Sequence, residues 1–470
     1  MTNYVMRVLI IFLIAIPIGA TAFLMLRVQL YRRQVGYNVR KDWMYKFCGT
    51  ETRELSVEVE LDGLRLPAEA RAFDTGFLNL RIESTISGFY FDPHIEIDGG
   101  GRRESLYFER GASGARPVNI SPFLSTVGRI MMRGHHVKWK KQKAMLRLWR
   151  NAELTDEPLL IVATHSDDAE IGTYPLFNHG NCHILTICPG NCINWDLSNL
   201  VPSTSDRIRL ATRMRQWDSV MVPWMVGISP DRSYNLGFPD GMLCELWKSK
   251  NKTYRNDRSF ACDSRLGSKL RVSQDMNSAS SWEDLISNIE TILLKTKPGV
   301  LVVPFPLYDN HLDHGFCVLA IVEALKLLGQ RPRRFLMYIN HGLLTEHWPF
   351  GPRGAMTSLP PNHDGEMPIT GLWSREVCPE GQINQLLMLE AMHDIREGPR
   401  LGVESWRGIL RRIKNFLGCK VHGMERCPNS YFRRGVRSNA VYYACDWNEL
   451  KEATGRFEEW ARGATGRGEI

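Results

Sequence analysis

The stretch PLLIVATHSDDAEIG, residues 158–172, decides how this chain is read. PLLIVA carries no polar side chain, has the length of a strand and stops at a histidine and two aspartates. A short apolar run bounded this way reads as a strand buried on both faces. The DDAEIG that follows starts a helix, because aspartate at a helix N-terminus satisfies orphan amides and suits the positive end of the dipole. Strand, tight turn and helix together make the first half of a βαβ unit.

The same alternation continues towards the C-terminus. CHILTICPG (182–190) reads as a strand, RIRLATRMRQWDSVMVPWMVGI (207–228) as a helix and YNLGFPDG (234–241) as a strand and turn. SWEDLISNIETILLKT (281–296) is a helix, GVLVVPFP (299–306) a strand, GFCVLAIVEALKLLG (315–329) a helix and RFLMYIN (334–340) a strand. Alternation of this kind predicts an α/β domain over residues 155–445, a Rossmann-like parallel sheet with helices on both faces. Ligands of such sheets bind beyond the carboxyl ends of the strands, and THSDD occupies one such end. Residues 446–470 are expected as a C-terminal helix and tail.

Upstream the pattern differs. Residues 8–26, VLIIFLIAIPIGATAFLML, are uncharged and predict a transmembrane anchor within a segment 1–30. A cleaved signal peptide with Ala20-Thr21-Ala22 as its site is the competing reading. Arg27, Arg32, Arg33, Arg40, Lys41 and Lys46 follow the run and only Arg7 precedes it, which by the positive-inside rule places the large C-terminal part on the cytoplasmic side, the membrane being expected as a bacterial inner membrane. Period-two patterns such as ELSVEVELDGLRL (54–66) predict a small β-sandwich-like module over 50–130. RGHHVKWKKQKAMLRLWR (133–150), with seven Arg or Lys and no acid, is expected as a basic linker helix within 131–154. It would either lie on an anionic membrane or dock its apolar stripe on the next domain.

Composition sets outer bounds. The 470 residues are 43% hydrophobic and 23% charged, a globular balance with core enough for more than one domain. A net charge of +8 is mild, and no nucleic-acid-binding motif is present. Eleven scattered cysteines form no framework of spacings, so reduced, mostly buried thiols are expected, Cys182 and Cys188 included.

A second polar constellation, LYDNHLDHGF (307–316), follows the GVLVVPFP strand. Two strands of one sheet thus end in His/Asp clusters on the same edge. His165 and Asp168 lie three apart at a helix start and face one point. His314 can close a His-Asp-His triad from across the sheet, a donor set suited to Zn2+ or another divalent metal. Asp167 is then left beside a metal-activated water as general base. Each motif alone also reads as a helix cap; only their joint placement points to metal.

With these residues in view the chain resembles the PIG-L/LmbE-like zinc-dependent de-N-acetylases, over roughly residues 155–440. HSDDAEIG keeps that family's histidine, paired aspartates and glycine seven residues on, and HLDH supplies its second box. RQWDSVMVPWMVG (215–227) is similar to its R-x-x-E helix, LGFPDG (236–241) to its third-strand turn and NSYFRR (429–434) to its closing segment. Ser166 stands in place of the usual proline, and Ala169 where glutamate is commonest.

The resemblance implies that His165, Asp168 and His314 hold zinc, that Asp167 is the base, and that His311 stabilises the oxyanion or protonates the leaving amine. It implies Asp313 as a residue orienting a histidine, and Arg215 and Asp240 as shaping the substrate pocket. Arg215 could equally pair with Asp218 on its own helix, and Asp309 could tune His311 or form a turn. The implied reaction is hydrolysis of the acetamide of an N-acetylglucosamine-type sugar, and the anchor points to a glycolipid or lipid-linked envelope glycan at a membrane. An amidase for a soluble metabolite, and an inactive membrane-attached glycan-binding protein, are the alternatives.

Overall fold

The computed structural model describes residues 17–19, 21, 25, 29, 31, 35–49, 52–154, 157–190, 201, 203–250, 281–345, 347–363, 368–392 and 434–466. The chain enters through a short strand, β1 (Lys46–Phe47), and then builds β2 (Arg53–Glu60), β3 (Gly63–Arg65), β4 (Thr75–Ser84), β5 (His94–Gly99) and β6 (Arg102–Tyr107). β7 (Ser113–Asn119), β8 (Arg129–His135), β9 (Val137–Lys138) and β10 (Gln142–Trp149) complete this part. β2 to β10 form one nine-stranded sheet in the order β6-β5-β8-β3-β2-β10-β4-β7, every pairing antiparallel. β9 continues β8 past His136 (φ 61°) and crosses to pair with β4, which curls the sheet towards a closed barrel. Inward residues such as Val59, Leu78, Leu80, Ile95, Ile97 and Leu146 make its core, as period-two alternation dictates.

A second sheet follows. β11 (Leu159–Ala163) leads into α1 (Asp168–Gly172), β12 (Cys182–Thr186), α2 (Thr204–Trp224), β13 (Ser233–Asn235), α3 (Leu243–Lys248) and α4 (Trp282–Thr296). β14 (Val300–Pro304), α5 (Leu312–Leu328), β15 (Arg334–Tyr338), β16 (Pro368–Ile369), β17 (Gly371–Glu376), α6 (Pro379–Ala391), β18 (Asn439–Cys445) and α7 (Trp447–Gly466) complete the described chain. The order is β13-β12-β11-β14-β15-β18-β17. β11 to β15 run parallel, whereas β18 and β17 are antiparallel additions at one edge. β11 and β14 are buried along their whole length, so both faces are covered by other elements. A capping box between Ser281 and Asp284 starts α4, and Gly329 in the left-handed region ends α5.

Several expectations are corrected. The chain is not a Rossmann-like parallel sheet behind a transmembrane helix and a small sandwich. Its larger sheet is the antiparallel, nearly closed one, and the second sheet is itself mixed. Residues 8–26 lie mostly outside the described residues, and among the described residues no helix is long and apolar enough to cross a membrane. The single-pass anchor, and the inner-membrane placement drawn from it, are therefore withdrawn. The basic segment 133–150 is not a helix but the end of β8, then β9 and β10. Ala144, Leu146 and Leu148 of β10 point inward, and its backbone is shared between β2 and β4. Hydrogen bonds to two neighbouring strands outweigh any local helical preference.

The two sheets are packed as one body. Trp43, Phe77 and Trp149 belong to the same buried cluster as Leu160 and Val162 of β11. Asn119 Nδ2 donates to Thr357 O and Ser374 Oγ, and Ser374 N donates to Thr75 Oγ1. The entering segment is stitched between them, with Trp43 N bonded to Ala115 O, Met44 N to Asn362 O, and β1 paired to β16. Arg116 holds that strap from within the sheet. Its guanidinium donates to Lys41 O and Val39 O, stacks on Trp43 and pairs with Glu109 at 2.6 Å, both side chains fully buried.

Candidate metal centre

The order of the second sheet places the chemistry. From β11 the chain proceeds through β12 and β13 to one edge, and β14 and β15 then extend the other way. The crevice at such a reversal, beyond the strand carboxyl ends, is where ligands bind. The polar residues after β11, β14 and β15 all fall there.

Asp168 is the hub. Its Oδ2 lies 3.0 Å from His314 Nε2 and 3.4 Å from His165 Nδ1, and it accepts the His165 backbone N–H at 2.8 Å. Asn340, just past β15, donates Nδ2 to Asp168 Oδ1 at 2.8 Å and so fixes the other oxygen. On the far side of His314, Asp309 Oδ1 sits 3.0 Å from Nδ1. Asp309 is itself held by the backbone N–H groups of His311, Asn340 and His341. Beyond His165, Asp240 Oδ1 lies 3.1 Å and Asp313 Oδ2 3.8 Å from Nε2.

Three sets of ligand atoms come within 4.8 Å of one another: His165, His311 and His314; Asp168, His314 and His341; His165, Asp240 and Asp313. The sets overlap at His165 and His314, so this is one cluster. Ligand atoms about 2.0–2.1 Å from a tetrahedral zinc stand about 3.3 Å apart; the Asp168 Oδ2 contacts to His314 Nε2 and His165 Nδ1, at 3.0 and 3.4 Å, are of that order, while none of the three sets joins His165, Asp168 and His314 together. His165 Nε2, His311 Nδ1 and both His314 nitrogens are buried without an aligned hydrogen bond; their carboxylate contacts are at ion-pair distance but off the hydrogen-bond direction. Buried nitrogens left this way, next to carboxylates, fit a divalent cation.

Electrostatics separate the three histidines. Burial pulls His314 down, but Asp168 and Asp309 outweigh it and push the imidazole up to about 10. His165 follows the same logic and is held well above the ordinary range, burial being overcome by Asp168, Asp240 and Asp313. His311 is the opposite case: burial and the charges of His165 and His314 bring it down to about 4. Asp168, despite burial, is held well below the usual carboxylate range by His314 and His165.

The expected site residues distribute as follows. His165, Asp168, His311 and His314 come together, with the His165 and His311 rings 4.7 Å apart. Asp167 is the N-cap residue of α1, and its Oδ1 lies 3.4 Å from Arg215 Nη2. Arg215 reaches the site from α2 and is anchored by Nε on Pro189 O and Gly190 O. Asp240 lies against His165 rather than at a distance from the ligands. Asp313 chiefly accepts Gly241 N and Leu243 N, thereby fixing the loop that carries Asp240. Asp309 accepts the His311 backbone N–H, the turn-forming reading of this residue, and its side chain also lies against His314. Ser166, in the proline position, donates Oγ to Pro189 O.

Asn340 is not among the expected site residues, and His341 opens HGLLTEHWPF, a stretch expected to border the pocket with its histidines given no role. Asn340 ends and His341 follows RFLMYIN, a strand legible in the sequence, but that this strand lies beside β14 is known only from the fold. Gly172 also acquires a physical reason. A Cβ there would stand 2.5 Å from Asn340 Oδ1 and 2.6 Å from the Tyr338 ring, so only glycine lets Asn340 reach Asp168. Cys182 and Cys188 are buried free thiols, and no described cysteine forms a disulfide.

No protein-family model matches the chain, and no curated relative does. Among solved structures, the conserved protein TT1542 from Thermus thermophilus is similar at 20% identity, over 56% of this chain and 90% of its own, with a TM-score of 0.27. GalB, the 4-carboxy-2-hydroxymuconate hydratase from Pseudomonas putida, is similar at 10% identity over 56% and 87%, with a TM-score of 0.29. A family two carbohydrate esterase from Cellvibrio japonicus follows at 11% identity over 60% and 87%, with a TM-score of 0.15. All three TM-scores are too low to establish a shared fold.

Proposed function

We propose that this chain is a divalent-metal-dependent de-N-acetylase that hydrolyses the acetamide of an N-acetylglucosamine-type sugar within a larger glycan or glycolipid. The observation that carries this reading is the position of Asp168 Oδ2 between His165 and His314, with Asp167 next in the chain. His165, Asp168 and His314 would hold the ion. Bound there, Zn2+ would polarise an acetamide carbonyl and bring the pKa of water towards neutrality.

The chain's own groups divide the remaining work. Asp167 accepts the proton of the attacking water and passes it to the amine nitrogen as the C–N bond breaks, with Arg215 fixing its carboxylate. His311, brought down to about 4, is a neutral imidazole at neutral pH, and a nearby cation lowers it further. That favours His311 as an N–H donor to the developing oxyanion over an imidazolium that protonates the amine. Asp309 and Asn340 set the orientation of His314 and Asp168.

The test is acetate release by zinc-loaded full-length protein from N-acetylglucosamine and its glycosides. Release that vanishes on chelation and returns with zinc supports the reading. A fully metal-loaded protein that frees no acetate from any N-acetylhexosamine derivative overturns it.

A further inference from the structure

A cavity of about 610 Å3 adjoins the metal cluster and has no part in the chemistry described so far. Asp309 and His311 belong to both, so its inner end is the imidazole cluster itself. Leu307 and Tyr308 form one wall, and Phe457 and Trp460 of α7 the other, with Leu343 at the edge. Trp460 and Leu343 are 48% and 44% exposed, large apolar side chains left facing water at the mouth. The helix that brings Trp460 is fixed beside the site. The Phe457 ring lies where a Cβ on Gly315, the residue after His314, would stand 2.2 Å from it.

The volume lies within the about 300–1,000 Å3 that holds a drug-sized ligand, far more than an acetamide requires. The lining is mostly apolar carbon, with Asp309, Asn310 and His311 at the inner end and the charged Arg456 and Glu459 beside Trp460 on α7. A ligand matched to it has a polar head at the cluster and an apolar body running out under α7. Resting on the de-N-acetylase reading, we propose that this cavity is the aglycone subsite, taking an alkyl or aryl group joined to the acetylated sugar, with Trp460 as its main contact.

The experiment compares kcat/KM for acetate release from the methyl glycoside, the octyl glycoside and the β-1,4-linked disaccharide of N-acetylglucosamine, using zinc-loaded full-length protein below micelle-forming concentrations. Each buried methylene contributes about fourfold, so the octyl-to-methyl ratio is expected at about tenfold or more and expressed mainly in KM. Trp460→Ala and, separately, Leu343→Ser bring the ratio towards one, whereas Trp217→Ala, exposed on α2, leaves it intact. A ratio near one in the wild type, a preference for the disaccharide without one for octyl, or a ratio unchanged in both cavity variants overturns the proposal. If no glycoside releases acetate, the function fails first, and calorimetric binding of the octyl glycoside decides the cavity. Binding weakened by Trp460→Ala sustains an apolar subsite, and no binding removes it.

Discussion

His314 stands between two carboxylates, its Nε2 3.0 Å from Asp168 Oδ2 and its Nδ1 3.0 Å from Asp309 Oδ1. One carboxylate belongs to the turn after β11 and the other to the turn after β14, so a single imidazole ties together the two central strands. In the metal-free chain it is pushed from 6.5 up to about 10, so it is protonated at neutral pH.

Metal uptake must therefore displace protons, because a histidine ligand binds in its neutral form. His165, also held high, adds to the release. Apparent zinc affinity is expected to rise with pH throughout the range below about 10. Calorimetry in buffers of different ionisation enthalpy at pH 7 should report net proton release, and a value of zero contradicts the arrangement. The sign for stability runs the other way. A raised imidazole stabilises the metal-free fold fully below 6.5, and that contribution is lost as pH rises through about 10, so the Tm of the apo protein should fall across that window.

Asp167→Asn should keep zinc yet lose acetate release by about 10²–10⁴-fold, the usual worth of a positioned general base. Metal content by mass spectrometry and turnover on the methyl glycoside check both halves. Normal turnover in this variant removes Asp167 as base.

Asn340→Ala removes the hydrogen bond that fixes Asp168 Oδ1. Loss of such a supporting contact is expected to cost about 10–100-fold in metal affinity, measured by competition with a chromophoric chelator. Gly172→Ala should act in the same direction, since its methyl would displace Asn340. Unchanged affinity in both variants would separate Asn340 from the site.

Arg116→Ala leaves Glu109 buried without its partner. Breaking one half of a fully buried pair costs about 3–5 kcal/mol, and replacing both residues by apolar ones of similar volume costs much less. Urea unfolding of the single and double variants measures the difference. Equal losses would mean that the pair adds nothing beyond packing.

Local signals in the sequence carried the strand ends of the second sheet well and the front of the molecule poorly. Leu159–Ala163 is legible as a strand because it is apolar on both faces, and Asp167 and Asp168 are legible at a helix start because carboxylates belong there. His165 and His314 could be paired once both were assigned to strand ends. Asn340 was not legible, since its role depends on β15 lying beside β14, a neighbour relation that no local pattern encodes. Gln142–Trp149 misled for a related reason. Its lysines, arginines and apolar residues fit both a 3.6-residue and a two-residue period, and only pairing to β2 and β4 selects the strand. The nearly closed sheet was invisible for the same cause, because closure depends on β9 meeting β4 across more than fifty residues of chain.

Trp43, Phe77 and Trp149 sit in one apolar cluster with the central strand β11. The boundary near residue 150 is thus a change of pattern in the text and not a seam in the object. A fragment cut there would lose three aromatic rings from the cluster that holds Leu160 and Val162, and the contacts that β4 and β10 make with β17. A graft of the second sheet onto another front end would have to replace those three aromatic rings to keep that cluster filled.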